Sequence, residues 1–361
     1  MELMSNNWTI NPGRGAAAAG PDHGCEGEGM IGTDSMGASI DRAAKRVLAE
    51  YDFSPDATVQ LVNVSENWTY RVDDPATGRS AALRVHRPDY HSREEIESEL
   101  MWIDALRGAE VVNAPAPVAA RDGGRVRTVA VDDGPARHVT VFDWLPGSPP
   151  SADADLIPNF GILGGLAARM HLFGIGWERP AAFRRFTYDD AAVLERALWG
   201  RWQDAPGIGS EERAILSRAD AEIRRRLADY GRAPDRFGLC HNDLRLANLL
   251  VDGDRLSVID FDDCGFSWYL NDFATAVSFM EDDPRVGEWM SAWLDGYVRH
   301  RALTQADRDS LPTLIMLRRM LLVGWVGFHY EHAAEARELG AAYTTATCRI
   351  AEDYLSGRYL G

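Results

Sequence analysis

The feature that most constrains the fold of this 361-residue chain is the uneven distribution of its β-rich runs. From Val59 onward the runs VQLVNV, WTYRV and AALRV follow one another, and the turn-forming stretch DDPATG separates the last two. They predict three antiparallel strands in sequence order. A second β-rich segment, from Ala114 to the Pro/Gly-rich stretch that ends at Pro150, predicts two or three further strands.

Helical periodicity follows these strands. The segment SREEIESELMWIDAL places Ile96, Leu100, Ile103 and Leu106 at helical spacing, and Ser92 can cap its start. A β-rich first third followed by a helical remainder is typical of an α+β bilobal fold. Further helices are predicted at Ser39–Tyr51, Phe160–Phe173, Ala191–Trp202 and Glu211–Tyr230, with several more after Asp272.

The two ends of the chain differ in composition. Residues 1–35 are rich in Gly, Ala, Asn and Asp and have no hydrophobic period, which predicts a disordered tail. The most apolar later run, Leu311 to Phe328, is interrupted by Pro312 and by the pair Arg318–Arg319. A membrane-spanning helix needs about 20 predominantly apolar residues. We therefore expect a buried helix here and no membrane partner.

The charge balance also limits the partners. Asp and Glu total 55 and Lys and Arg 38, so the formal net charge is −17, which argues against a nucleic-acid partner. Lys45 is the only lysine, so any other cation that grips phosphate must be arginine. The cysteines, at 25, 240, 264 and 348, form no CxxC pair, which favours reduced thiols, a cytoplasmic location and no structural zinc.

One island of strand signal interrupts the helical region and reads GLCHNDLRLANLLVDGDRLSVIDFDD. Its apolar runs LLV and LSVI are joined by DGDR, in which Asp252-Gly253 is a hairpin turn signal. If Val251 pairs near Leu256, then Leu249 pairs near Val258. The residues that flank the hairpin on either side then lie next to each other.

Those flanking residues are Asn248 and Asp260, an amide and a carboxylate, and Asp243 lies in the loop just before them. Oxygen ligands that converge in this way are what Mg²⁺ prefers in proteins. Any single aspartate here, taken alone, is better explained as a structural turn or cap residue than as a catalytic one. The joint pattern HxDxxxxN, hairpin, then hydrophobic-Asp-Phe-Asp favours a functional site.

The sequence resembles the aminoglycoside phosphotransferase and choline kinase family, which has a protein-kinase-like fold. The resemblance is carried by the motifs HNDLRLAN, VIDFDD and NDFA, by the helix LGGLAARMH and by the segment VFDWLPG. The resemblance covers roughly residues 40 to 330. The segments LRVHRPDYHSREEIESEL and IDFDDCGFSWYLNDFA are most similar to the stress-response Ser/Thr kinase branch. Homoserine kinases and antibiotic kinases are nearby relatives.

The resemblance implies an N-terminal nucleotide-binding lobe at 36–141, built from an antiparallel sheet and one long helix. It also implies a hinge at 142–149 and a larger, mainly helical C-terminal lobe at 150–361 that carries the catalytic and substrate sites. Adenine would stack near the hinge, around Phe142 to Leu145.

The resemblance also implies roles for the island. Asp243 would accept or orient the proton of the substrate hydroxyl, and Asn248 and Asp260 would hold Mg²⁺ against the phosphates of ATP. Positioning and charge stabilisation carry most of such a phosphoryl transfer. Three other residues are expected to support the site: Asp262 near the metal, His241 as a hydrogen-bonded brace and Asp272 as a tie to the loop.

Kinases of this fold grip the nucleotide phosphates with a strand-three lysine paired with a helix glutamate. Arg84 stands at the matching position in AALRVHR, and Glu99 lies on or beside the apolar stripe of the next helix. A carboxylate there needs a partner because burying an unpaired charge is costly, and Arg84 is the obvious candidate. The alternative is that Glu99 reaches solvent and that Arg84 is a surface residue.

The loop SENWTY, between the first two strands, lacks the GxGxxG pattern of protein kinases. Ser65 and Asn67 in this loop are candidate donors to the nucleotide phosphates. A plain hairpin turn is the alternative.

The function predicted is transfer of the γ-phosphate of ATP, with Mg²⁺, to a hydroxyl of a small molecule such as an aminoglycoside, an amino alcohol or a homoserine-like acceptor. The alternatives are a stress-response Ser/Thr protein kinase and a kinase-fold nucleotide-binding or regulatory module without catalysis. The acidic balance suits a cationic acceptor, whereas the paired arginines favour a carboxylate or phosphate group. Candidates for the wall of the acceptor site are Trp268, Tyr269, Asp282, Asp283, Arg318, Arg319 and Trp325.

Overall fold

The computed structural model describes residues 31–64, 67–132, 134–150, 155–331 and 333–360, with the side chains of 31–35 left out. The tail predicted at 1–35 therefore lies almost entirely outside the described residues. The chain forms two compact units, Met1–Asp104 with Pro115–Pro146, and Ala105–Ala114 with Gly147–Gly361. The predicted α+β class, with an antiparallel N-terminal sheet and a larger helical part, is confirmed.

The first unit contains a five-stranded antiparallel sheet. The three consecutive strands predicted from Val59 onward are confirmed, and two of the further strands expected after Ala114 are formed. The elements are α1 (Ile31–Leu48), β1 (Thr58–Val64), β2 (Trp68–Asp74), β3 (Arg79–Val85), α2 (Arg93–Gly108), β4 (Val126–Val129) and β5 (Arg137–Asp143), and the last turn of α2 belongs to the second unit. The sheet order is β1-β2-β3-β5-β4.

Strand β3 shows how the sheet positions a charged residue. Its period-two pattern buries Ala81, Leu83 and Val85 in a core shared with α1. Arg84 stands between Leu83 and Val85 and therefore points to the opposite face, where it is nonetheless only 8% exposed. The strand thus delivers one cation to a buried position on the second face of the sheet.

Helix α2 starts where the sequence predicts. The Ser92 hydroxyl accepts a hydrogen bond from the Glu95 amide at 3.2 Å, and the Ser92 amide donates to Glu95 Oε2 at 2.8 Å, which makes a capping box. The apolar stripe is buried, and Glu99 on the same face is 0% exposed. The capped start fixes which face of the helix carries Glu99.

The second unit is mainly helical, with two small two-stranded sheets. A strand over Gly265–Trp268 (β9) was not predicted from the sequence. It pairs with Phe237–Cys240 (β6), the strand that leads into the loop carrying Asp243. The elements are α3 (Ile157–Gly176), α4 (Asp190–Leu194), α5 (Ser210–Tyr230), β6 (Phe237–Cys240), β7 (Leu249–Asp252), β8 (Arg255–Val258), β9 (Gly265–Trp268), α6 (Asn271–Ala276), α7 (Val286–Val298), α8 (Gln305–His329) and α9 (Ala334–Leu355).

The prediction of one helix over Ala191–Trp202 is wrong. Helix α4 ends at Leu194, and a separate 3₁₀ turn covers Trp202–Asp204. Between them Ala197 and Gly200 have φ of 52° and 111°, conformations that an α-helix cannot contain. The apolar period continues through this break because both segments bury side chains in the same unit.

Helix α8 contains the most apolar run of the sequence. By length and composition alone it could cross a membrane, but 83% of its most apolar window is buried inside the protein. The prediction of a buried helix from Leu311 to Phe328 is therefore confirmed for most of this run, which contains Pro312, whereas Phe328 at its end is 68% exposed.

Helices α3 and α7 approach each other closely through glycine. A β-carbon on Gly164 would lie 1.9 Å from the backbone oxygen of Trp293, and one on Gly296 would lie 1.9 Å from that of Gly161. Neither position has room for a side chain. This contact brings His171 of α3 and Tyr297 of α7 within hydrogen-bonding distance, at 2.9 Å.

Candidate active site

Asp272, at the start of α6, holds the loop that follows β6. Its carboxylate accepts hydrogen bonds from the backbone amides of His241, at 3.2 Å, and Asn242, at 2.7 Å. Asn242 adopts a φ of 62°, a strained conformation that these bonds stabilise. The loop then presents Asp243, which is 7% exposed. Asp272 therefore makes the contacts expected of a structural tie.

His171 supports Asp272 from behind. Its Nε2 lies 2.9 Å from Asp272 Oδ2 and its Nδ1 lies 2.9 Å from the Tyr297 hydroxyl. Complete burial lowers the pKa of His171, although the Asp272 carboxylate opposes this shift. The neutral ring thus donates from Nε2 to Asp272 and accepts at Nδ1 from Tyr297.

His241 takes the place expected of a brace. Its Nε2 lies 3.2 Å from the backbone oxygen of Ile259, just beyond β8, and its Nδ1 accepts from the Asp243 amide at 3.3 Å. Burial lowers the pKa of His241 as well. A neutral histidine held by two backbone groups links the loop of Asp243 to the end of the hairpin.

The hairpin has the register predicted from its turn. Val251 pairs with Leu256 and Leu249 with Val258. The amide of Ile259 then donates to the backbone oxygen of Asn248 at 2.9 Å, which brings the two flanking segments together.

Asn248 is joined directly to Asp243. Its Nδ2 donates to Asp243 Oδ2 at 2.9 Å and to the backbone oxygen of Asp243 at 2.8 Å. Since the amide nitrogen is used in this way, Oδ1 is the atom that can serve a metal. Asp260 is exposed and adopts a φ of 61°. An amide oxygen and an exposed carboxylate form a donor set of the kind that Mg²⁺ prefers in proteins.

Two arginines also contact the Asp243 carboxylate. Arg245 Nε lies 3.1 Å from Oδ1 and 3.2 Å from Oδ2, and Arg318 Nη2 of α8 lies 3.1 Å from Oδ1. Burial pushes the pKa of Asp243 upward, but the positive charges of Arg245 and then Arg318 outweigh it and hold that pKa below its usual range. The carboxylate is therefore ionised and held on both oxygens.

These two contacts were missed from the sequence. Arg245 lies inside the motif HNDLR and carries no separate signal there. Arg318 was considered only as a candidate wall residue because nothing in a single sequence connects it to a loop 75 residues earlier. The available signal was a pair of arginines inside an otherwise apolar, buried run.

In the first unit, Arg84 and Glu99 form the predicted pair. Arg84 Nη2 lies 2.6 Å from Glu99 Oε1 and 2.7 Å from Oε2, and both side chains are buried. The guanidinium also lies over the Phe142 ring, 5.2 Å from its centre. The alternative of an exposed Arg84 and a solvent-facing Glu99 is wrong. Lys45 is exposed on α1.

The loop between β1 and β2 is described only from Asn67 onward, and Ser65 lies outside the described residues. Asn67 Oδ1 accepts a hydrogen bond from the Arg87 amide at 3.0 Å. This bond ties the start of β2 to the residues after β3. The role of both loop residues toward a nucleotide stays a prediction.

Several candidate wall residues belong instead to the interior of the second unit. Trp268 and Tyr269 are buried, and Trp268 Nε1 donates to the backbone oxygen of Gly231 at 2.8 Å. Arg319 is paired at 2.5 Å with the buried Glu281, and its guanidinium lies 3.7 Å from the centre of the Tyr343 ring. Unlike Arg318, Arg319 does not approach Asp243 through any contact of the described residues.

The segment after Asp260 is held by a further arginine. Arg185 is buried and donates to the backbone oxygens of Asp262 and Cys264, the latter at 2.5 Å. The Tyr188 hydroxyl donates to Asp263 Oδ1 at 3.0 Å. Asp262 itself is only 6% exposed, so it is less accessible to a metal than Asp260.

A model of the phosphotransferase enzyme family matches residues 58–309 of the chain. The chain is 47% identical to the solved structure of a microcompartment-associated aminopropanol kinase, with a TM-score of 0.81, over 88% of this chain and 98% of that one. An amicoumacin kinase solved with AMP-PNP and Ca²⁺ is 23% identical with a TM-score of 0.73, over 91% and 97%. A homoserine kinase of Granulibacter bethesdensis is 27% identical over 76% of this chain and 82% of the relative. The predicted protein-kinase-like fold is confirmed.

Proposed function

The chain belongs to the phosphotransferase enzyme family and is an ATP-dependent phosphotransferase that acts on an alcohol group of a small molecule, and from this premise we propose that its acceptor is a small amino alcohol and that Asp243 is the catalytic base. Membership of an enzyme family with kinase relatives sets aside the alternative of a module without catalysis.

In the proposed reaction the acceptor hydroxyl oxygen attacks the γ-phosphorus of ATP. The hydroxyl proton passes to the Asp243 carboxylate, the bond between the γ-phosphorus and the bridging oxygen breaks, and ADP leaves. Asp243 is buried, ionised and fixed in orientation, which is what such a base requires.

Asn248 and Asp260 would hold Mg²⁺, which supplies charge neutralisation for the phosphate oxygens when bound. Arg84, fixed by Glu99, would hold the nucleotide phosphates in place of a lysine. An arginine suits this task because its planar fork binds phosphate oxygens at two points.

The observation that carries the choice of acceptor is that Arg318 and Arg319 are each already paired with a carboxylate of this chain. Arg318 is used by Asp243 and Arg319 by Glu281, and both are buried. Neither is available for an acceptor carboxylate, so the argument from paired arginines for a homoserine-like acceptor loses its basis. A cationic acceptor remains consistent with the net charge of −17.

The relatives support the same class. The structure that is 47% identical over 98% of its length is an aminopropanol kinase, whereas the homoserine kinase relative is 27% identical. The relatives described above are kinases of small molecules, which favours a small-molecule acceptor over protein Ser/Thr.

The test is a measurement of ADP release with Mg-ATP across matched acceptors. Aminopropanol is compared with 1,2-propanediol, which has a second hydroxyl in place of the ammonium group, and with homoserine, which has a carboxylate as well as an ammonium group. An aminoglycoside and a generic protein complete the set. We expect kcat/KM for the amino alcohol to exceed those for the diol and for homoserine by at least about tenfold. Equal or faster turnover of homoserine would overturn the acceptor class. If the generic protein is the only acceptor that is phosphorylated, the Ser/Thr kinase alternative is restored.

Asp243→Asn tests the base. We expect kcat to fall by about 10²- to 10⁴-fold in a protein that is still folded, although its thermal unfolding midpoint falls because the buried Arg318 loses its charged partner. Wild-type kcat in this variant would show that another group accepts the proton.

A further inference from the structure

Arg318 is held at three points by residues from three different parts of the second unit. Its Nε donates to the Ser278 hydroxyl at 3.0 Å, and its Nη2 donates to Asp243 Oδ1 at 3.1 Å. Its guanidinium lies over the Trp199 ring, 4.8 Å from the ring centre. The side chain is 4% exposed, so its position is set by packing as well as by hydrogen bonds.

The two oxygens of Asp243 therefore accept hydrogen bonds from different residues. Asn248 Nδ2 occupies Oδ2 and Arg318 Nη2 occupies Oδ1. Two donors on different oxygens stop the carboxylate from rotating about its Cβ–Cγ bond. Arg245, by contrast, approaches both oxygens through the single atom Nε, at 3.1 and 3.2 Å, so it does not distinguish one oxygen from the other.

Burying an arginine in an interior is costly unless it is paired and hydrogen-bonded. The described residues pair Arg318 with one carboxylate, that of Asp243. An apolar side chain at this position in the helix would stabilise the fold equally well. It would not hold the Asp243 carboxylate in place.

We propose that Arg318 is a positioning residue for the reaction: it fixes the Asp243 carboxylate in the orientation that receives the acceptor proton. This inference rests on the proposed role of Asp243. In this proposal Arg318 acts through Asp243, its carboxylate partner, and not through ATP or the acceptor, so its loss is expected to lower kcat and to leave both KM values unchanged.

The test compares a non-conservative and a conservative change at Arg318 with a conservative change at the adjacent Arg319. Arg318→Met is expected to lower kcat by about 10²-fold, since a misplacement of about 1 Å can cost that much, with KM for ATP and for the acceptor within about threefold of wild type. Arg318→Lys keeps the charge but loses the fork, and is expected to recover part of the lost kcat. Arg319→Lys is the matched control, because its charge pairs with Glu281 and it should leave kcat within about twofold.

A double-mutant cycle with Ser278 separates positioning from a general packing role. Ser278→Ala removes the bond that orients the guanidinium and leaves the charge in place. If Ser278 acts through Arg318, its substitution lowers kcat in the wild-type background and has no further effect in Arg318→Met. Additive effects of the two changes would overturn the inference.

The variants are assayed with the acceptor that wild-type protein turns over fastest, so the test does not depend on which acceptor that is. Thermal unfolding of each variant establishes that it is folded. If Arg318→Met does not fold, Ser278→Ala and Arg318→Lys provide the test in its place. Unchanged kcat in folded Arg318→Met and Arg318→Lys, or a rise in acceptor KM alone, overturns the positioning role. If either of these results is found while Asp243→Asn loses activity, the proposed role of Asp243 is retained and only the inference about Arg318 is rejected.

Discussion

The side chain of Asn248 donates from Nδ2 to Asp243 Oδ2 at 2.9 Å, so the proposed base and a proposed metal ligand are one hydrogen-bonded unit. The hairpin of β7 and β8 sets this relationship, because its register brings the backbone of Asn248 against Ile259 and hence beside Asp260. A change at Asn248 should therefore disturb proton transfer and metal dependence together.

Asn248→Ala tests this joint role. We expect kcat to fall by about 10²-fold or more, and the Mg²⁺ concentration for half-maximal rate to rise, since one oxygen ligand and the donor to Asp243 are lost together. Asn113→Ala is the matched control. Asn113 Nδ2 bonds Ser257 of the same hairpin at 2.6 Å, and losing that bond should cost about 1 kcal/mol of stability with no change in metal dependence. Unchanged metal dependence in Asn248→Ala would contradict its role as a ligand.

Glu99→Gln tests the grip on the nucleotide. Without its charge Glu99 no longer fixes Arg84 as firmly, so we expect KM for ATP to rise by about tenfold, which corresponds to about 1.4 kcal/mol, while KM for the acceptor stays close to that of wild type. Glu97→Gln on the same helix is the control, since Glu97 forms an exposed pair with Arg93 at 2.9 Å. Steady-state kinetics with varied ATP make the comparison, and equal KM values for the two variants would refute the assignment of Arg84.

Local patterns in the sequence predicted the features that depend on neighbouring residues. The turn at Asp252-Gly253 fixes the register of the hairpin over a few residues, so the meeting of Asn248 with the segment of Asp260 was predictable. The apolar stripe of α2 placed Glu99 on a buried face, and burial demands a partner such as Arg84.

Contacts between distant elements were not predictable in this way. The face of α8 that meets Asp243 depends on how the helix packs, and a buried run of apolar residues does not show where Arg318 points. The break after α4 was missed because the apolar spacing continues through it. Ala197 has a positive φ there, but alanine favours helices, so the sequence does not indicate that the helix ends.

Stability should fall in mild acid because of His171. Burial lowers the pKa of His171 in the folded protein below the value of about 6.5 that it has when unfolded. Below that pH the unfolded state binds a proton that the folded state does not. The free energy of unfolding therefore falls by about 1.4 kcal/mol per pH unit from this group, until the pH passes the folded pKa.

His171→Gln removes this contribution. Denaturant unfolding of both proteins at a series of pH values between 7 and 5 gives the difference in slope, in which the other titrating groups largely cancel. We expect the variant to be less stable than wild type at pH 7, because it loses ring contacts with Tyr297 and Asp272, but to lose less stability as the pH falls. Parallel curves would mean that His171 binds its proton equally well in the folded state.

The packing of α3 on α7 should tolerate no side chain at Gly296. A β-carbon there would lie 1.9 Å from the backbone oxygen of Gly161, so the helices must separate, and an overpacked contact of this kind costs about 3 kcal/mol. Gly287 is the matched control in the same helix, since an added β-carbon meets nothing within 4 Å, and Ala has a higher helix propensity there by up to about 1 kcal/mol. Gly296→Ala should therefore lower the free energy of unfolding and Gly287→Ala should keep or raise it, as measured by denaturant titration. Because separating α3 from α7 also pulls His171 away from Tyr297, the destabilised variant should lose activity as well, and a fully active, fully stable Gly296→Ala would show that the two helices do not pack this closely.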